Sequence, residues 1–333
     1  MNNKNILQSN DFTGPIFLIG MPRSGTKLLR GLLNEHSTIA IPAFETEFFP
    51  YWVTHWESYG DLSNRELFKT FYSEVMKIPY FLYCKNEDEV IDEEVWYKNC
   101  QDYTVAGVFE ALIRHDANAP INTNIIWGDK SPSYITSLEL IKEHFPDAKF
   151  IHIIRDVRDY CLSINHAWKK NMIRAAQRWN DYVHNAREIS CQFENDYIEL
   201  RFEDLLDAPD IELKKICHFL GLEFEASMLS LSKPSENVGA ASGYKSVIKS
   251  NQKKYEQAMS IKVRSKIEGI AGNTLKTLNY SMTSNVPPYR VSDKKMYFYK
   301  MLDGVNLMMT TIKRIGVNKA IRYILGAFII TRK

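Results

Sequence analysis

The chain has 333 residues, 45% hydrophobic and 25% charged, an ordinary globular composition with room for one large domain or one domain plus an appendage. A net charge of only +2 provides no whole-protein field of the kind that holds nucleic acid, and five scattered cysteines (Cys84, Cys100, Cys161, Cys191, Cys217) without a CxxC pair argue against zinc and a disulfide framework and for a reducing compartment. The N-terminus lacks the apolar run of a secretory signal, and the longest late apolar run, Tyr323 to Ile330, is far shorter than the roughly 20 residues a spanning helix needs; the expected location is the cytoplasm.

Pro15-Ile-Phe-Leu-Ile19 reads as a short buried strand, Gly20 to Gly25 as a turn-rich loop, and Leu28, Leu29, Leu32 and Leu33 as a helix starting at Ser24. Residues 48–120 are rich in aromatics and acids (Phe48-Phe-Pro-Tyr-Trp52, Glu87-Asp-Glu89) and read as mostly helical. Ile125-Ile-Trp127 is a second strand ending in Gly128-Asp-Lys130. Ser131-Pro132 follows as N-cap and first helical residue of a helix running to Pro146. Lys149 to Ile154 is a third strand, ending on Arg155-Asp156, and Tyr197 to Arg201 a fourth. Helices are expected after Arg155, from Met172 to Ile189, from Pro209 to Leu220 with Gly221 as its stop, and from Ile261 to Leu278. Residues 232–255 are polar and basic without periodicity, a loop or lid. Strands alternating with helices predict an α/β fold, a parallel sheet with helices on both faces, and ligands at the carboxyl ends of the strands. Arg23, Lys130 and Arg155 all follow such ends.

Gly20-Met-Pro-Arg-Ser-Gly25 has the spacing of a Walker A loop, a cradle in which backbone N–H groups and a helix N-terminus hold phosphate. The next two residues are inverted, however. Thr26 stands where Walker A has its lysine, and Lys27 where it has the hydroxyl that ligates Mg²⁺. No apolar strand ends in a metal-binding aspartate, and the third ends in Arg155. The pattern favours a metal-free anion site in which Lys and Arg balance a transferring group. A strand-end arginine can grip a second phosphate bidentately, and Ser163, eight residues on, can reach back from the next helix as a neutral donor.

Met21-Pro-Arg-Ser-Gly-Thr-Lys-Leu-Leu29 resembles the 5′-phosphosulfate loop of sulfotransferases that use 3′-phosphoadenosine 5′-phosphosulfate (PAPS), in the form found in tyrosylprotein sulfotransferases and bacterial relatives. Phe150 to Ser163 resembles their 3′-phosphate segment, Gly128-Asp-Lys-Ser-Pro132 their Lys-x-Pro segment, and Leu200-Arg-Phe-Glu-Asp-Leu-Leu206 their Tyr-Glu-Asp-Leu segment, with Phe202 in place of the tyrosine. Ser246-Val-Ile-Lys249 resembles a late basic segment that closes over the nucleotide, and Leu278-Asn-Tyr280 the family's terminal Leu-Gly-Tyr. The resemblance covers residues 15–280 and implies a P-loop-like sulfotransferase fold. It also implies PAPS as donor, adenosine 3′,5′-bisphosphate as product, and no metal. It places Arg23, Ser24, Gly25, Thr26, Lys27, Arg155, Ser163, Ser246 and Lys249 (Lys253 as alternative) around the nucleotide. Lys130 falls on the sulfuryl group and Glu45 of Glu45-Thr-Glu47 on the base, with Glu47, His55 and His36 in reserve. Arg158 reads equally well as a ligand or a plain ion pair. The acceptor implied is a hydroxyl, by analogy that of a glycan or glycolipid. A P-loop kinase or NTPase is the alternative enzyme, and a non-catalytic nucleotide-binding protein the alternative outside catalysis.

The division expected is a catalytic domain over 1–280, with 48–120 as an acceptor-side insertion, and a basic amphipathic extension over 281–333. From Lys294 to Lys333 nine Lys or Arg face a single acid, Asp303, a net +8 that leaves −6 on the preceding residues. Leu307-Met-Met, Ile312, Ile315, Ile321, Ile324, Leu325 and Phe328 make that segment amphipathic. It reads as a C-terminal helix packed on the domain with its lysines in water, or as a peripheral helix on the inner face of a membrane.

Overall fold

The structure, a computed structural model, describes residues 12–86, 90–234, 243–317 and 320–321. The N-terminal eleven residues, Glu87-Asp88-Glu89, part of the expected lid and the end of the basic tail lie outside the described residues. Five parallel strands form one sheet: β1 (Ile16–Gly20), β2 (Ile39–Ala40), β3 (Ile126–Asp129), β4 (Lys149–Ile154) and β5 (Tyr197–Arg201), in the order β2-β3-β1-β4-β5. β1 is central and fully buried, as its unbroken apolar run requires of a strand covered on both faces. It pairs with β4 along its whole length, Ile16 opposite Lys149 and Gly20 opposite Ile153.

Fourteen helices follow in chain order among the described residues. α1 (Thr26–Leu33) packs behind the loop. α2 (Phe49–His55), α3 (Arg65–Val75), α4 (Pro79–Asn86), α5 (Glu93–Asn99) and α6 (Val105–Asp116) occupy the stretch 48–120 that the sequence reads as an insertion. α7 (Leu138–His144), α8 (Val157–Trp168), α9 (Met172–Ser190), α10 (Phe202–Asp207) and α11 (Pro209–Leu220) complete the flanking layers. α12 (Tyr255–Ala258), α13 (Ile261–Thr277) and α14 (Asp293–Ile315) close the chain. Phe17 and Ile19 of β1 face a core shared with the aromatic insertion (Phe48, Phe49, Trp52, Trp96, Phe109), while Ile16 and Leu18 face α1, α10 and α11. The period-2 alternation of one strand thus seats both layers. A third core joins α8, α9 and α13 around Trp179 and Val183.

The fold is the expected parallel α/β sheet with helices on both faces, and three local readings change. α1 begins at Thr26, not Ser24, because Gly25 caps it in the left-handed region at φ 99°. The helix expected from Ser131 to Pro146 is a 3₁₀ turn (Pro132–Thr136) followed by α7, broken at Ser137, and Ser131 makes no side-chain cap bond. β2, two residues long, offered no period to read. No helix among the described residues is long and apolar enough to cross a membrane.

Candidate active site

The carboxyl ends of β1, β3 and β4 meet around the Gly20–Gly25 loop, where order in the sheet reverses. Two glycines there are required by space. A Cβ on Gly20 would lie 2.5 Å from the Ile153 carbonyl oxygen, and one on Gly25 would lie 2.3 Å from the Phe202 ring. The loop therefore lies flat on β4 and α10, with Arg23 in a left-handed conformation at φ 72°. Ser24 is fully buried, and its hydroxyl has no hydrogen-bond partner among the described residues. A buried unsatisfied donor at a helix N-terminus is what a bound anion would satisfy.

A cavity of about 520 Å³ opens beside the loop, the size of an ordinary small-ligand site. Arg23, Gly25, Arg155, Ser163, Phe202 and Ser246 all line it. Arg155 donates to the Arg23 carbonyl at 3.1 Å and to the Asn251 carbonyl at 3.3 Å, and lies 4.8 Å from the Phe202 ring centroid. Asp159 stands 3.9 Å away. Burial pushes the guanidinium pKa down, opposed by Asp159 and Glu203. Arg23 Nε donates to Ser163 Oγ at 3.4 Å, so residues 140 apart in sequence share one wall. The phenyl ring of Phe202, where the resemblance calls for a tyrosine, serves as a platform under Arg155 and against Gly25.

Arg158 is not in this cavity. It is buried between Asp156 and Glu268, at 2.6 Å from each, and lies over the Tyr255 ring. Of its two readings, the ion pair holds. Asp156 N–H in turn donates to Glu203, which accepts from Tyr280 at 2.7 Å. Glu203 and Tyr280, carried by two of the family-like segments, brace the end of β4. Lys249 and Lys253 are exposed and do not line the cavity; Lys254 does, and donates to Asn251 at 2.7 Å. Burial and the nearby Arg155 lower its pKa. Sequence reading missed Lys254 and Asn251, because a strip without periodicity gives no sign of which residues turn inward, and it missed His166, which reaches the cavity from the last turn of α8.

At the end of β3, Lys130 is fully buried and its ammonium donates to Glu45 in a close ion pair. Burial lowers the Lys130 pKa, Glu45 raises it, and Arg30 and Lys27 lower it further. Lys27 itself is exposed at the start of α1. Ser131, expected as a cap, instead accepts from Thr46 N–H at 2.9 Å, while Thr46 Oγ1 meets the Tyr134 hydroxyl at 2.6 Å. Those bonds fix the Glu45-Thr46-Glu47 turn against Lys130. Glu47 adopts φ 54°, and desolvation in the cleft, then Glu45, push its carboxyl up to about 7. His36 contacts the Glu223 carbonyl at 2.9 Å, and His55 stacks on Tyr51, so neither joins the Lys130–Glu45 pair. The back of the loop, Met21 and Pro22, lines a second cavity of about 140 Å³ with Pro132, Lys170, Arg174 and Arg178. Burial and the two arginines bring Lys170 down to about 8.

Against the reading that no apolar strand ends in an aspartate, β3 closes on Asp129, which lies fully buried beside Lys130, and desolvation pushes it up to about 7 from 3.8. Across roughly that window the unfolded chain has lost this proton while the folded chain keeps it, so stability falls as pH rises. Asp129→Asn should flatten the profile of Tm against pH from 5 to 8 and exceed the wild type at pH 8. Parallel profiles would show that Asp129 does not titrate there. Among the described residues no group of His, Cys, Asp and Glu is placed to hold a metal ion.

A family model described as the sulfotransferase family matches residues 15–226. Protein-tyrosine sulfotransferase A of Caenorhabditis elegans is 25% identical over 228 residues, 64% of this chain and 51% of that protein. Protein-tyrosine sulfotransferase 1 of Danio rerio is 23% identical over 238 residues, 68% and 58%. The chain thus spans about half the length of these two relatives. Among solved structures, the sulfotransferase domain from the curacin biosynthetic pathway superposes with a TM-score of 0.54 at 20% identity, over 81% of this chain and 99% of that one, a likeness of fold. Because the family model spans well over half of the chain, from β1 past α11, this protein belongs to the sulfotransferase family.

Proposed function

We propose that the protein transfers a sulfuryl group from PAPS to an acceptor hydroxyl. The observation that carries this reading is the meeting of Arg23, Arg155 and Ser163 on one cavity, beside the unsatisfied Ser24 hydroxyl. Arg155 and Ser163 suit a 3′-phosphate. The loop N–H groups with Ser24, Thr26 and Lys27 suit the 5′-phosphosulfate, and Ser246 closes from the late segment. Lys249, exposed outside the cavity, would reach a phosphate only if that segment moved, and Lys254 already lines it.

In this reading Glu45 accepts the proton of the attacking hydroxyl. The new S–O bond forms in line as the bond from sulfur to the 5′-phosphate oxygen breaks, the electron pair leaving on the phosphate. Adenosine 3′,5′-bisphosphate is the product. Lys130, Arg23 and Lys27 balance charge on the sulfuryl and leaving oxygens, so positioning and electrostatics carry the rate. Lys130, fully buried and already paired with Glu45, is held where both jobs meet. The exposed lysine at the position of a Mg²⁺-binding hydroxyl argues against the kinase or NTPase reading.

The acceptor would enter from the side of the second cavity, whose lysine and arginines favour negative charge near the hydroxyl. A glycan or glycolipid is the expected acceptor, and the relatives' names bring a protein tyrosine as the rival. Calorimetry with adenosine 3′,5′-bisphosphate should show binding that Mg²⁺ leaves unchanged; no binding would end the sulfotransferase reading, and Mg²⁺-dependent ATP binding would replace it. Labelled-sulfate transfer to a glycolipid, a glycan and a tyrosyl peptide then separates the acceptors.

A further inference from the structure

α14 is turned inside out. Toward the domain it presents polar groups: Asp303 accepts from Asn171 N–H at 2.7 Å and from Arg174 at 2.8 Å, and Asn306 donates to the Lys169 carbonyl at 3.0 Å. Asp303 and Thr311 are buried. Toward solvent it presents Phe298, Met301, Leu302, Val305, Met308 and Met309, each between 43% and 59% exposed, with Tyr297 at 66%. At about 100° per residue these side chains occupy one sector of roughly 140°. A surface helix that only packed on the domain would bury that sector and expose the other. The face is too long and continuous to be the scattered apolar exposure of an ordinary surface.

Charge decides what covers it. Exposed Lys294 and Lys295 stand at one end of the face and exposed Lys313 at the other. The only acid between Lys294 and Lys333 is Asp303, which is buried against Arg174. Apart from exposed Asp293 in its first turn, the described outward side of α14 therefore carries an excess of positive charge. Two copies laid face to face would bring like charges together. A bilayer with anionic headgroups offers hydrocarbon to the stripe and phosphate to the lysines, whose stems can reach along the apolar face. The geometry points to α14 as a docking surface for an anionic bilayer.

The contact has a consequence for the acceptor, which rests on the function proposed above. Asp303 also lines the second cavity, beside Pro22, Pro132 and Arg174. Docking through α14 would hold that cavity on the far side of the helix, about one helix diameter (~10 Å) from the lipid surface, a reach that suits an acceptor carried in the bilayer.

The test is flotation of the full chain with vesicles of phosphatidylcholine alone or mixed with phosphatidylglycerol. The expected result is binding to the mixed vesicles, weakened by salt, and lowered about tenfold or more in a V305E/M309E double variant. Failure to float with mixed vesicles, or flotation unchanged in the variant, would overturn the proposal. So would sedimentation showing a dimer that the variant breaks without any vesicle binding, since a second copy would then be the occupant. Bisphosphate calorimetry on both chains keeps the ideas separate. Unchanged binding in the variant shows that it is folded, and lack of binding in the wild type would remove the sulfotransferase reading while leaving the flotation result standing.

Discussion

Glu45→Gln should lower the turnover number by roughly 10²–10⁴-fold, the usual worth of a positioned general base, while adenosine 3′,5′-bisphosphate still binds. The nucleotide cavity does not include Glu45, so a pure loss of base leaves it intact. One complication is built into the pair. Removing the carboxylate leaves the buried Lys130 ammonium without its partner, and breaking a buried pair from one side destabilises a fold. A Glu45→Gln, Lys130→Met double variant separates the effects: it should recover thermal stability and stay inactive. Recovery of activity along with stability would show that the pair is only structural. Glu47→Gln is the companion measurement. With its carboxyl near 7, Glu47 gains negative charge as pH rises through neutrality, so its replacement should remove an inflection there and leave the maximum rate within about tenfold. A larger loss than that of Glu45→Gln would exchange their roles.

Arg155→Ala should weaken bisphosphate binding by about 10–100-fold, from the roughly 1.5–3 kcal/mol that a hydrogen bond to a charged group contributes. The same side chain holds the loop through the Arg23 carbonyl and the late segment through the Asn251 carbonyl, so part of the loss is preorganisation. Arg155→Lys should not restore it, because one ammonium cannot span those carbonyls and lie flat over Phe202. Arg158→Ala gives the contrast. Its guanidinium serves Asp156 and Glu268, so Tm should fall before bisphosphate affinity does. Calorimetry and thermal denaturation on both variants check this. Equal losses of affinity at 155 and 158 would mean that the network, not the phosphate contact, sets binding.

Much of the frame was written locally. The apolar run of β1, the loop Gly20 to Gly25, the arginine closing β4 and the helix stop at Gly221 are each set by residues within a few positions of one another, where strand and helix periods and backbone freedom act. Thr26-Lys27 sets this loop apart from the Walker A order by residue type alone, and the basic excess after Lys294 is a matter of counting.

What the tertiary structure decided are the partnerships between distant residues. Glu45 meets Lys130 across 85 positions, and Arg158 meets Glu268 across 110, contacts to which no local period points. Ser131 looked like a cap because Ser-Pro opens helices. Its hydroxyl instead accepts from the Thr46 N–H, because the fold brings a residue 85 positions away beside the end of β3. Lys254 rather than Lys249 lines the cavity for a similar reason, since the direction of a side chain in an aperiodic strip is set by what it packs on. α14 makes the point most plainly. Its sequence fixed two faces, one apolar and one polar, but which face meets the domain depended on where Asn171 and Arg174 stand to receive Asp303.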